Sequence, residues 1–174
     1  MKRMTDMKIE LRIPTIADKE DLKKLCNAVD RSYLSDRLPY PYTDEAADWW
    51  INTVTEKDGK EGVWRLIYVD DVLAGNASVE MMSDVYRKDS EIGYMLLTEY
   101  WGKGIATEVA KQMCILSFDQ LDICRITGLC YSPNVASRRV MEKAGFVQEG
   151  LKKKAVFKSG NLYDLVIMGL VKDA

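Results

Sequence analysis

Residues 99–111, EYWGKGIATEVAK, set two glycines around a lysine just before an apolar-periodic stretch. No acidic or hydroxyl side chain stands where a helix cap would be, so the first N–H groups of a helix starting there lack a side-chain acceptor. Such a start can cradle a pyrophosphate, because backbone donors converge, the helix dipole favours an anion and Lys103 adds positive charge. It can equally be a tight turn whose glycines merely supply positive φ. Spacing removes two nucleotide patterns. A Walker A loop needs GxxxxGK followed by Ser or Thr, which the chain lacks. A dinucleotide fingerprint needs a glycine where Thr107 stands, and its ribose-binding acid should end the next strand, whereas Asp122 precedes that strand.

The chain has no histidine. Ser–His–Asp and Cys–His catalysis and imidazole–metal sites are therefore excluded, and proton transfer falls to carboxylates, Tyr, Cys, Lys, hydroxyls or water. Cys26, Cys114, Cys124 and Cys130 have no CxxC spacing and read as buried reduced thiols; no metal site is expected. A net charge of −2 gives no electrostatic case for nucleic acid or an anionic membrane as a partner. No apolar run approaches the roughly 18 residues of a membrane span. The start, MKRMTDMKIE, lacks a signal peptide's apolar stretch, so a soluble, cytoplasmic protein is expected.

The elements that must position these residues follow from periodicity. With 174 residues and 47% hydrophobic content, the chain suits one domain over 1–174. MKIELRI alternates as a strand near 7–13, and Pro14 stops it. Ile16, Leu22, Leu25 and Val29 then carry helical spacing, with Asp18 as the expected cap. YLSDRLPYPY is a loop, and Thr43 opens a second helix containing Trp49 and Trp50. VWRLIYV and VLAGNASVEMM form a hairpin through Asp70–Asp71, and EIGYMLL is the next strand. Ile105, Val109 and Met113 recur every four residues on a helix to about residue 119. RITGLCYS, a helix capped by Asn134 and ended before Gly145, and a closing hairpin complete the chain. The order β-α-α-β-β-β-α-β-α-β-β has one crossover, so a mixed α/β (α+β) domain is expected, mostly antiparallel, with about seven strands and four helices.

Two motifs in this order resemble a known family. WGKGIA, between strand and helix, is similar to the acyl-CoA motif of the GNAT acetyltransferase superfamily, Arg/Gln-x-x-Gly-x-Gly/Ala, with Trp101 at the first position, Gly104 at the glycine and Ala106 at the last. NVASRRVMEKAGFVQEG is similar to the NxxSxRVxEKxGFxxEG signature of the ribosomal-protein N-terminal acetyltransferases (the Rim type), and LPYPYTDEAADWW resembles that branch's early loop and helix. The resemblance implies a sheet splayed between EIGYMLL and RITGLCYS, with acetyl-CoA as cosubstrate in the gap. Backbone groups of Met95 and Leu97, flanking Leu96, would pair with pantetheine. The stretch Gly102, Lys103, Gly104, Ile105, Ala106, Thr107 would hold the pyrophosphate. Asn134 would bond the pantetheine arm as well as cap its helix, and Arg138 or Arg139 would reach the 3′-phosphate.

Acetyl transfer needs a free amine lone pair, a polarised carbonyl and a proton for the leaving thiolate. An amine of pKa about 8–10 is mostly protonated at neutral pH, so a base helps. Glu91 is the candidate base, the N–H near Met95 a one-donor oxyanion hole. Met141 stands where many family members carry an acid tyrosine; the resemblance to the Rim-type branch implies Ser137, the serine of NxxS, in its place, with Tyr131 in reserve. The acceptor pocket is expected between the 32–42 loop and SVEMMSDVY, with Tyr33, Tyr40 and Tyr42 as walls and Asp36, Glu80 and Asp84 attracting a cationic amine. The implied function is N-acetylation of a primary amine: a protein α-amine, or a polyamine, an aminoglycoside or another small amine. A CoA-binding sensor without turnover, or an interaction module with the fold alone, stays open, as does a homodimer through the closing hairpin.

Overall fold

The computed structural model describes residues 7–172, so the ends of the expected 1–174 domain lie outside the described residues. The elements are β1 (Ile9–Arg12), α1 (Lys19–Ala28), α2 (Asp44–Lys57), β2 (Gly62–Val69), β3 (Val72–Met81), β4 (Ser90–Leu96), α3 (Ile105–Gln120), β5 (Arg125–Tyr131), α4 (Val135–Lys143), β6 (Val147–Lys158) and β7 (Asn161–Val171). They follow the expected order. Asp70 and Asp71, at φ +49° and +64°, make the two-residue turn between β2 and β3, because two left-handed central residues match the twist of a hairpin. Thr43 caps α2 by accepting from the Ala46 N–H at 3.3 Å.

Asp18 does not cap α1, contrary to expectation. Its carboxylate turns back to accept from the Thr15 N–H at 2.7 Å and the Thr15 hydroxyl at 2.8 Å. The acid thus serves as the returning partner of a Thr15 capping pair, over a 3₁₀ turn that leads into α1.

The sheet order is β1-β2-β3-β4-β5-β7-β6. Every neighbouring pair is antiparallel except β4 and β5, which are parallel and meet only at Glu91↔Thr127 and Ile92↔Gly128. Beyond that point β4 stays paired with β3 to Leu96, and β5 with β7 to Tyr131. Each strand is held by its other neighbour, so the two halves of the sheet part as a V. β2 is buried along its whole length, and its alternate side chains feed two cores. Val63, Ile67 and Val69 pack toward α3, with its fully buried Ile105, Val109 and Met113. Leu66 and Tyr68 pack toward α1 and α2, with Leu22, Leu25 and Ile51.

Candidate functional site

α3 begins at the mouth of the V. Gly102 and Gly104 sit at φ +70° and +81°, a region that glycine enters without steric cost. Gly104 is the cap residue and has no side chain to offer; its carbonyl accepts from the Glu108 N–H at 3.1 Å. The N–H groups of Ile105, Ala106 and Thr107 find no acceptor among the described residues. They form an unpaired donor cluster at the positive end of a helix of 16 residues, although Ile105 buries its side chain in the core. Lys103 lies 5.6 Å over the Tyr100 ring. The half-exposed Trp101 donates its Nε1–H to the Leu96 carbonyl at 2.9 Å. Its indole therefore ties the loop to the end of β4.

The backbone roles expected of Met95 and Leu97 need correction. The Leu97 N–H donates to the Ala74 carbonyl at 2.9 Å, and its carbonyl accepts from Tyr100 at 3.0 Å. Bonded and non-bonded pairs alternate along an antiparallel ladder. Met95 and Glu91 thus share Leu97's parity and bond toward β3, while Tyr94 and Leu96 turn their backbone groups toward the gap. The β4 backbone groups left facing the gap are those of Tyr94 and the N–H of Leu96, whose carbonyl is taken by the Trp101 indole. Met95 contributes its buried side chain to the opposite face, with the α1/α2 core.

Side chains on β4 divide by the same parity. Glu91 is half-buried and stands directly across from Glu80 of β3. Burial lifts its carboxyl above the ordinary carboxylate range; Arg37 opposes this, and Glu80 and Asp89 reinforce it. Glu80 accepts from the Ser78 hydroxyl at 3.1 Å. On the other face, Tyr94 reaches α4: its hydroxyl lies 2.9 Å from Ser137 Oγ and donates to the Ser137 carbonyl at 3.2 Å. The Ser137 N–H in turn donates to Asn134 Oδ1 at 3.2 Å, which makes Asn134 a helix cap. Tyr94 was not expected as a site residue. Its signal was a phenol at a position whose strand neighbours, Ile92 and Leu96, face the core, since a buried tyrosine hydroxyl needs a partner.

Tyr131 stands apart from this cluster. It stacks on Tyr163 at 6.3 Å and takes the edge of Tyr33 at 6.2 Å. Arg138 pairs with Glu142 at 3.8 Å, and Arg139 is exposed on α4. Three thiols are buried as expected, but Cys124 is exposed, because it precedes β5 at the rim of the sheet. Burial pushes Cys26 and Cys114 up to about 12 and raises Cys130. Thiols so poorly ionised are weak nucleophiles at neutral pH.

On the α1/α2 face lies an open groove of about 910 Å³. Trp50, Trp64, Tyr42 and Met95 give it apolar walls, and Glu80 and Asp36 place acids on it. Asp36 is already paired with Lys158 of β6 at 2.6 Å. Asp84, by contrast, sits on an exposed turn outside the groove lining, so the structure does not bring it to the pocket. Tyr33 also lies off the groove, and Tyr40 is exposed. The 30–42 loop thus spans the V: Arg37 lines the groove, while Tyr33 and Asp36 fasten to β5 and β6.

Arg31 sets that loop's shape. Its guanidinium donates to the carbonyls of Cys26 at 2.7 Å, Leu38 at 2.8 Å and Pro39 at 3.0 Å. Replacing it with methionine keeps the aliphatic stem and removes charge-assisted bonds worth about 2 kcal/mol each. Arg31→Met is expected to lower the thermal midpoint by several degrees and to loosen the 30–42 loop. Differential scanning fluorimetry and limited proteolysis of the loop check this.

Among the described residues no cluster of metal-ligating groups occurs, and no helix is long and apolar enough to cross a membrane. A family model described as the acetyltransferase (GNAT) domain matches residues 8–147. Two Bacillus subtilis (strain 168) proteins are similar. YdaF, whose name gives it provisionally as a ribosomal N-acetyltransferase, is 35% identical over 71% of this chain. YoaA, an uncharacterised N-acetyltransferase, is 31% identical over 58%. The matched stretches span 65% and 56% of those relatives. Among solved structures, a ribosomal L7/L12 alpha-N-protein acetyltransferase in complex with coenzyme A superposes with a TM-score of 0.83 at 23% identity, covering 95% of this chain and 94% of that one. That likeness concerns the fold.

Proposed function

The chain belongs to the GNAT acetyltransferase family, and we propose on that premise that it transfers acetyl from acetyl-CoA to a primary amine by direct attack. The carrying observation is the V between β4 and β5 with the uncapped start of α3 at its mouth. Coenzyme A would lay its pantetheine along the gap-facing groups of Tyr94 and the Leu96 N–H, as an added strand does. Its pyrophosphate would take the amides of the Gly102–Thr107 stretch.

Glu91 suits the base. It stands at the closed end of the V, where the β4–β5 pairing stops. A raised carboxyl pKa brings a base closer to neutrality and to the amine it must relieve of a proton. Ser137 would face the departing sulfur. The nitrogen forms its bond to the carbonyl carbon, the carbon–sulfur bond breaks, and the proton lost by nitrogen balances the one gained by sulfur. The buried, poorly ionised thiols favour direct attack over an acetyl-cysteine intermediate.

The acceptor enters from the α1/α2 face. A groove of about 910 Å³ is near the upper end for small-molecule sites, which favours the first residues of a protein chain and hence an α-amine. The similarity to YdaF points the same way. An acceptor panel decides: thiol release from acetyl-CoA is followed with N-terminal peptides, polyamines and aminoglycosides. Turnover of peptides alone supports the α-amine reading, and preference for a small amine replaces it. Tight acetyl-CoA binding with no turnover of any amine would make the domain a sensor.

A further inference from the structure

We propose that Tyr94 is the positioning residue for Ser137, turning the serine hydroxyl so that its proton points at the coenzyme sulfur. This rests on the acetyl-transfer reading above and deepens it. The two residues are 43 apart in sequence and lie on opposite sides of the V. Tyr94 falls beyond Ile92, the last β4 residue paired with β5, so its side chain crosses from one half of the sheet to the helix that follows the other. The contact is thus a strut at the floor of the gap where the thioester must lie.

The hydroxyls allow two arrangements. When Tyr94 donates to the Ser137 carbonyl at 3.2 Å, its oxygen accepts the Ser137 proton, which is then held by the phenol and not offered to a third partner. When Tyr94 donates to Ser137 Oγ at 2.9 Å, the serine proton is free for a third partner. A sulfur carrying negative charge in the gap selects the second arrangement, because it supplies the acceptor that the serine proton then needs. A serine early in a helix commonly bonds its own backbone. Among the described residues, the bond recorded for Ser137 Oγ is the one to Tyr94.

Tyr94 orients without giving up its own proton. Its phenol lies deep in the fold, and burial pushes it above its usual value, so a phenolate there is disfavoured. The proton reaching sulfur comes from Ser137; the amine's proton goes to Glu91, which releases it to water, and water returns one proton to Ser137. No further reagent is required.

The test is a double-mutant cycle on acetyl transfer. Tyr94→Phe keeps the ring and removes the hydroxyl. The expected result is a fall in kcat of about tenfold or more with acetyl-CoA affinity within about twofold, since a serine proton no longer held toward the charged sulfur is missed only in the transition state. In the Ser137→Ala background the same change should cost less than about twofold. A purely structural strut gives the opposite pattern, because the bond to the Ser137 carbonyl survives in Ser137→Ala; equal losses in both backgrounds overturn the proposal. So does full activity of Tyr94→Phe. A wild-type protein inactive on every amine overturns the acetyl-transfer reading instead. Circular dichroism of each variant separates misfolding, and Tyr94→Leu, which removes ring and hydroxyl, is the control for lost packing.

Discussion

Gly104→Val is expected to abolish measurable acetyl-CoA binding while leaving the protein folded. Gly104 sits at φ +81° as the cap residue of α3, where a β-branched side chain costs about 1–3 kcal/mol of strain. The chain relieves that strain by turning the first turn of α3 back to negative φ, which scatters the amides of Ile105, Ala106 and Thr107. Losing two bonds to an anion, at about 1.5–3 kcal/mol each, means a fall in affinity of roughly a hundredfold or more. Lys103→Ala is the contrasting control. Its ammonium lies over the Tyr100 ring and makes no part of the amide cluster, so its removal should weaken binding by less than about fivefold. Titration calorimetry with acetyl-CoA reads both variants. Unchanged affinity in a folded Gly104→Val would remove the cradle.

Glu91→Gln is expected to lower kcat by about a hundredfold to ten-thousandfold, the range of a lost general base, with acetyl-CoA binding retained. The wild-type rate should climb with pH through a step above the ordinary carboxylate range, because burial and the facing Glu80 both favour the protonated form. That step should vanish in the variant. Stability should move the other way. The folded-state pKa of Glu91 is raised above its unfolded value, so its protonated form stabilises the fold below the unfolded pKa, and this contribution is lost as pH rises through the folded pKa. At neutral pH the ionised side chain is a cost, and Glu91→Gln should be at least as resistant to urea as the wild type. An inactive variant that is also less stable would instead mark Glu91 as a structural residue.

What the sequence made legible was local. The glycines before α3, the Asp70–Asp71 turn and the Asn134 cap each follow from a residue's own backbone preference or its nearest N–H groups. What it hid depends on pairing across distance. Whether Met95 or Leu96 offers its amide to the gap is a matter of register with β3, and a shift by one residue exchanges them. The Tyr94–Ser137 contact spans 43 residues, and the Asp36–Lys158 tie that carries the 30–42 loop across the V spans 122. Neither leaves a mark on hydrophobic periodicity. Asp18 shows the same limit on a small scale, since an acid at a helix start reads alike as cap or as returning partner until the backbone is known.

The central claim is that acetyl passes directly from coenzyme A to an amine held at the V. A single-turnover experiment with carbonyl-labelled acetyl-CoA, quenched over time and resolved by mass spectrometry, tests it most directly. The label should move from coenzyme to acceptor nitrogen in step with free thiol, and at no time reside on the protein. Label that accumulates on the protein before reaching the amine, or that stays on bound coenzyme with every acceptor offered, would contradict the account.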